Sequence, residues 1–172
     1  VLSTCVDPAG RAEVNTGLVI GQVQSGKPLS FTPLAALAHD NGYRAVILFT
    51  GTKKNLRDQS TERLTRDLHA DESRRWEVCR LEQAGQALLS ADEIHNRLNQ
   101  WDQKFVPKNR RRTLVFTLIK NRSSLNRLEN LLRNIGGILD KSPFLIIDDE
   151  CDQAGLNTLV REDEESATYA AI

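Results

Sequence analysis

Gly21-Gln22-Val23-Gln24-Ser25-Gly26-Lys27 has the spacing of a phosphate-binding loop: a glycine, four residues, then Gly-Lys. Upstream, residues 16–20 (T-G-L-V-I) read as a short buried strand. Downstream, residues 29–41 read as a helix with Leu34, Leu37 and Ala38 on one face. Between a strand and a helix, such a loop turns successive backbone N–H groups toward a phosphate, and the lysine ammonium reaches the outer oxygens. Pro28 departs from the pattern, because it brings neither the usual hydroxyl nor an N–H. Taken alone, the loop is equally a glycine-rich turn with Pro28 in the first helical turn, where proline is tolerated.

A second motif gives the loop its meaning. Phe144-Leu145-Ile146-Ile147 is an apolar run behind Pro143, followed by Asp148-Asp149-Glu150-Cys151-Asp152. The spacing predicts a fully buried strand ending in carboxylates. In an open parallel sheet, ligands sit beyond the carboxyl ends of the strands, so these acids face the same crevice as the glycine loop. A carboxylate there can hold Mg²⁺, and a neighbouring glutamate can orient and deprotonate a water.

The remaining elements alternate. Residues 44–50 (R-A-V-I-L-F-T) and 113–119 read as strands. Residues 55–68 form an amphipathic helix carrying Leu56, Leu64 and Leu68, and residues 91–98 form a helix capped by Ser90 or Asp92. Residues 123–139 keep Leu125, Leu128, Leu131, Leu132, Ile135 and Leu139 at helical spacing and end near Gly136-Gly137. Residues 66–81 are polar and ambiguous. The alternation predicts one α/β domain over residues 1–172 with a mainly parallel sheet.

Asp149-Glu150-Cys151-Asp152 resembles the D-E-x-D box of superfamily-two helicase-like ATPases. Residues 51–59, a turn leading into Leu56-Arg57-Asp58-Gln59, resemble their next motif. More narrowly, Val23 to Lys27, Asn55-Leu56-Arg57 with Gln59, Lys120-Asn121, and Ile146 to Ala154 with Asn157-Thr158 resemble the bacterial Z-one branch of endonuclease-associated ATPases. The likeness spans residues 17–158. It implies a three-layer RecA-like P-loop NTPase domain that binds ATP with Mg²⁺, as the motor of a helicase-like protein acting on DNA in restriction or phage defence. Gly21, Gln22, Val23, Gln24, Ser25, Gly26, Lys27 and Pro28 would cradle the nucleotide, with Lys27 on the β- and γ-phosphates. Asp149 would serve the metal and Glu150 would act as general base. Thr52, Asn55 and Gln59 would lie near a nucleic-acid strand or link it to the nucleotide site. Pro28 replaces the family's Thr, and Ser30 lies on another helical face, so the alternative is a degenerate nucleotide-binding scaffold without turnover.

Composition fits an ordinary core-forming chain of 172 residues, 40% hydrophobic, with 23 basic and 23 acidic residues. This balance supplies no global field toward nucleic acid or membrane. No apolar run approaches the ~20 residues of a membrane span, and the expected setting is cytoplasmic. Cys5, Cys79 and Cys151 are widely spaced, which argues against a zinc site or a disulfide scaffold. The chain begins at Val1, contains no methionine and ends soon after the acidic box. The expectation is a first motor domain cut from a longer protein, its second motor domain missing. Ser166-Ala167-Thr168 follows an acidic run and reads as a coincidence.

The simpler readings prevail for the other candidates. Lys108-Asn109-Arg110-Arg111-Arg112 reads as a solvated loop before a strand, although it could meet phosphates. Trp76 and Trp101 read as packing residues rather than base-stacking platforms. His39, His69 and His95 read as surface or cap residues. Lys120-Asn121 either touches nucleic acid or caps a helix. A P-loop kinase or transferase is disfavoured by the D-E-x-D box, and a nuclease centre by the lack of unassigned clustered acids.

Overall fold

The computed structural model describes residues 5–10, 13–17, 27–80 and 89–149. Its centre is a four-stranded, all-parallel sheet: β1 (Ala45–Thr50), β2 (Trp76–Arg80), β3 (Thr113–Leu118) and β4 (Phe144–Asp149), in the spatial order β2-β3-β1-β4. Parallel neighbours need crossovers, and helices provide them: α2 (Lys54–Asp67) with the single turn α3 (Ala70–Ser73) after β1, α4 (Ala91–Asn99) after β2, and α5 (Arg122–Ile135) after β3. Helix α1 (Lys27–Asp40) precedes β1.

β1 and β3 are apolar on both sides because both sheet faces are covered. Ala45, Ile47, Leu114, Phe116 and Leu118 meet Ile94 and Leu98 of α4 and Leu128 and Ile135 of α5. Val46, Leu48, Val115, Trp76 and Leu145 meet Ala35 and Ala38 of α1 and Leu64 of α2. The result is the expected three-layer α/β architecture. The register puts Val46 between Val115 and Leu145, so the valine and leucine side chains stack across three strands on one face.

Helix ends follow local chemistry. Ser90 accepts from the Glu93 N–H while Glu93 reaches back to the Ser90 N–H, a capping box that starts α4. Asn121 accepts from the Ser124 N–H at the start of α5. Gly136, at φ 65°, ends α5, and a 3-10 turn (Gly136–Lys141) carries the chain into β4.

Several expectations change. The strand expected at 16–20 has no regular structure at 16 and 17; residues 18–20 lie outside the described residues. Helix α1 begins at Lys27 rather than Leu29, and its buried side is Ala35, Ala38 and His39, while Leu37 is half exposed. The ambiguous segment 66–81 holds α3 and a whole strand, β2. β4 is not fully buried. It lies at the end of the strand order among the described residues, and Ile146 is 59% exposed where Leu145 is 7%.

Candidate functional site

Parallel strands end at a common edge. There β1 delivers Thr50 and Gly51, β3 leads to Lys120, and β4 delivers Asp148 and Asp149. Thr50 stands in register with Asp149, and Phe49 with both Asp148 and Leu118. The Thr50 hydroxyl donates to the Leu118 carbonyl (3.2 Å), and the Lys120 N–H donates to the Gly51 carbonyl (2.7 Å). Gly51 has φ 76°, a left-handed conformation that favours glycine, so the turn leaving β1 is tied directly to the end of β3.

Strand alternation separates the two aspartates. Asp148 follows Phe144 and Ile146 onto the face covered by α4 and α5, where Lys120 Nζ lies 2.8 Å from its Oδ1. The Lys120 side chain is 1% exposed. It is therefore an internal cation, which corrects its reading as a nucleic-acid contact; the capping role belongs to Asn121. Asp149 follows Leu145 and Ile147 onto the other face, the one covered by α1 and α2, and is half-buried.

Helix α1 runs back along that same face. Its carboxyl end is held at the start of the strands, where the Tyr43 N–H donates to the Ala38 carbonyl and the Arg44 N–H to the Pro143 carbonyl. Its amino end, the backbone of Lys27 and Pro28, is thereby directed to the carboxyl edge of the sheet. Gly21, Gln22, Val23, Gln24, Ser25 and Gly26 lie outside the described residues, as does Glu150. The residues that can be located are thus the start of α1 and Asp149, on one face and at one edge.

Thr52, Asn55 and Gln59 follow β1 at this edge, and all are exposed. Asn55 and Gln59, one turn apart on α2, share its outer side. Behind them Arg57 is 5% exposed, with Nε and Nη2 donating to Asp58 Oδ1 at 3.0 and 2.9 Å. Thr61 Oγ1 donates to the Arg57 carbonyl (2.7 Å), so it accepts from Thr117 Oγ1 (2.7 Å) and fastens α2 to β3. This buried polar layer went unread in the sequence. Its signal was the run of Thr and Arg on the otherwise apolar side of α2.

The other candidates separate cleanly. Trp76 is buried, and the half-buried Trp101 donates its indole N–H to the Arg112 carbonyl (2.8 Å). Both pack, as expected. His69 and His95 are exposed. His39 is not a surface residue: it is 9% exposed, bonded to Thr113 Oγ1 (2.8 Å), with Trp76 and Trp101 ring centroids at 4.9 and 5.6 Å. Burial pushes the Cys79 thiol up to about 12, with Glu77 adding to the shift, which makes it a packing group rather than a nucleophile. Among the described residues no helix is long and apolar enough to cross a membrane, and no group of three or more His, Cys, Asp or Glu could hold a metal ion.

Comparison with protein-family models, curated proteins and solved structures finds no match to this chain.

Proposed function

We propose that this chain is a nucleotide-binding domain that hydrolyses ATP with Mg²⁺, as the motor domain of a helicase-like protein acting on DNA in restriction or phage defence. One observation carries the reading. Asp149 ends β4 on the sheet face that α1 covers, at the edge toward which α1 begins with Lys27, directly after the glycine loop of the sequence. Lys27 binds the β- and γ-phosphates, Gly21 to Gly26 supply N–H groups, and Glu150 orients and deprotonates the attacking water. Mg²⁺ keeps several waters and takes most other ligands from the nucleotide, so a single protein carboxylate suits it. Asp149 is that carboxylate. Asp148, on the other face of the strand, lies 2.8 Å from Lys120 Nζ. The bound ion would neutralise charge on the phosphate oxygens. Thr52, Asn55 and Gln59, exposed at the same edge, contact the nucleic-acid strand.

Pro28 favours a second reading. As the second residue of α1 it offers no hydroxyl for the metal and no N–H for a phosphate, which suits a module that binds nucleotide without turnover. Steady-state ATP hydrolysis by the full chain, with and without Mg²⁺, separates the two. Mg²⁺-dependent turnover that falls on the order of 100-fold in Lys27→Ala and in Asp149→Asn supports the motor. Turnover appearing only in Pro28→Thr supports the degenerate module. No binding of a fluorescent ATP analogue to either form sinks both.

A further inference from the structure

The opposite edge of the sheet has a different chemistry. Arg44 immediately precedes β1, Arg75 immediately precedes β2, and Arg111 lies just ahead of β3. The 3-10 turn Lys108–Arg110 sits beside them. Arg44, Arg75, Lys108 and Arg111 line one open depression of about 550 Å³, with Trp101 in its wall and Asp40 as the acid among its lining residues. The whole chain has no formal net charge, so this concentration of cations is local.

The four cations are not equivalent. Arg44 is 12% exposed and holds Asp102 through two bonds of 2.6 and 2.8 Å, so its charge is spent internally. Arg75, Lys108 and Arg111 have no ion pair among the described residues. Arg75 and Lys108 are exposed, while Arg111 is half-buried with its Nε out of solvent and without an acceptor. A phosphate at the mouth of the depression would offset the local repulsion among these cations and pair with accessible N–H groups.

The shape and the donors define the ligand. The depression is open rather than enclosed, which suits a chain passing across it. Arginine forks match phosphate oxygens, and the exposed Arg110 continues the basic line on the same turn. We propose that this basic depression at the amino edge of the sheet binds the phosphodiester backbone of a nucleic-acid strand through Arg75, Lys108 and Arg111. It lies a strand length, roughly 20 Å, from the Asp149 edge. It is therefore a separate contact and does not rest on nucleotide binding.

The test measures fluorescence anisotropy of a labelled single-stranded oligonucleotide across a salt series, with neither ATP nor Mg²⁺ present. The double variant Arg75→Glu with Lys108→Glu changes only exposed side chains, and its thermal melt reports that the fold is kept. Its affinity should drop at least ~10-fold, and the slope of log K against log salt should shrink by roughly 1.4, two single-strand phosphate contacts. Arg111→Lys, which keeps the charge and loses the fork, should weaken binding with the slope nearly unchanged. Unaltered affinity and slope in the double variant would overturn the proposal. So would displacement of the oligonucleotide by an equal concentration of inorganic phosphate, which would mark a small-anion site.

Discussion

Lys120 and Asp148 lie 2.8 Å apart, the lysine side chain 1% exposed and the aspartate 31%, beneath the carboxyl edge. An ion pair in that setting is weak evidence of net stability, because the cost of desolvating the lysine offsets much of the attraction. Removing one partner is another matter. Lys120→Met should cost about 2 kcal/mol in urea unfolding, below the 3–5 kcal/mol typical of fully buried pairs because water still reaches Asp148. Adding Asp148→Leu should recover much of the loss; equal unfolding midpoints for parent and single variant would contradict this account. Asp148 and Asp149 were legible as a pair of acids after an apolar run, and strand alternation alone separates their faces. What Lys120 does was not legible. Its partner lies 28 positions downstream, on a strand that is not its own neighbour, since β1 lies between β3 and β4.

At the scale of elements, helices announced themselves more clearly than strands. Helix α5 placed Leu125, Leu128 and Ile135 on its buried side as its spacing demanded. Helix α4 began at the cap the residues suggested. β2 escaped notice because Trp76, Val78 and Cys79 are interleaved with Glu77 and Arg80, which look solvated in one dimension. In three, Glu77 lies 2.9 Å from Arg97 of α4 and 3.7 Å from Arg112 ahead of β3, so its charge is met by partners from two other segments. β4 erred the other way: four apolar residues implied burial on both faces, yet its position at the end of the strand order leaves Ile146 open. Ile94 and Leu98 of α4 are 1% and 0% exposed, so fraying of its first turn disturbs the core as well as the helix. Ser90→Ala should lower global stability by about 1 kcal/mol. Amide exchange should rise first at the start of α4. An unchanged unfolding midpoint with unchanged exchange would remove the cap from the account.

For the molecule as a whole, the alternation of strands and helices foretold a parallel sheet with two covered faces, because each crossover has to pack back onto the sheet it leaves. The strand order needed long-range contacts that no local pattern contains. One such contact makes stability depend on pH. His39, near the end of α1, is packed against Trp76 of β2 and Trp101, and bonds the first residue of β3. Thr113 Oγ1 donates its single proton to the Tyr43 carbonyl (3.0 Å), so it accepts from His39 Nδ1–H, which fixes the tautomer of the neutral ring. Burial lowers the His39 pKa below 6.5; Asp40 opposes the shift and Arg75 adds to it. The unfolded chain therefore takes up a proton at this position before the folded chain does. The contribution is fully present above pH 6.5 and is lost as pH falls below that value, until the folded state also titrates. His69 and His95 are exposed in the folded state, and they remain in any variant of His39. Urea unfolding at intervals from pH 7.5 to 5 should thus show a steeper loss for the parent than for His39→Gln, which lacks the titrating ring while keeping a polar group near Thr113. Carboxylates titrate alike in both proteins, so the difference in slope isolates the histidine. Parallel curves would mean that His39 accepts a proton in the folded state as readily as in water, and the junction of α1, β2 and β3 would then have to admit solvent.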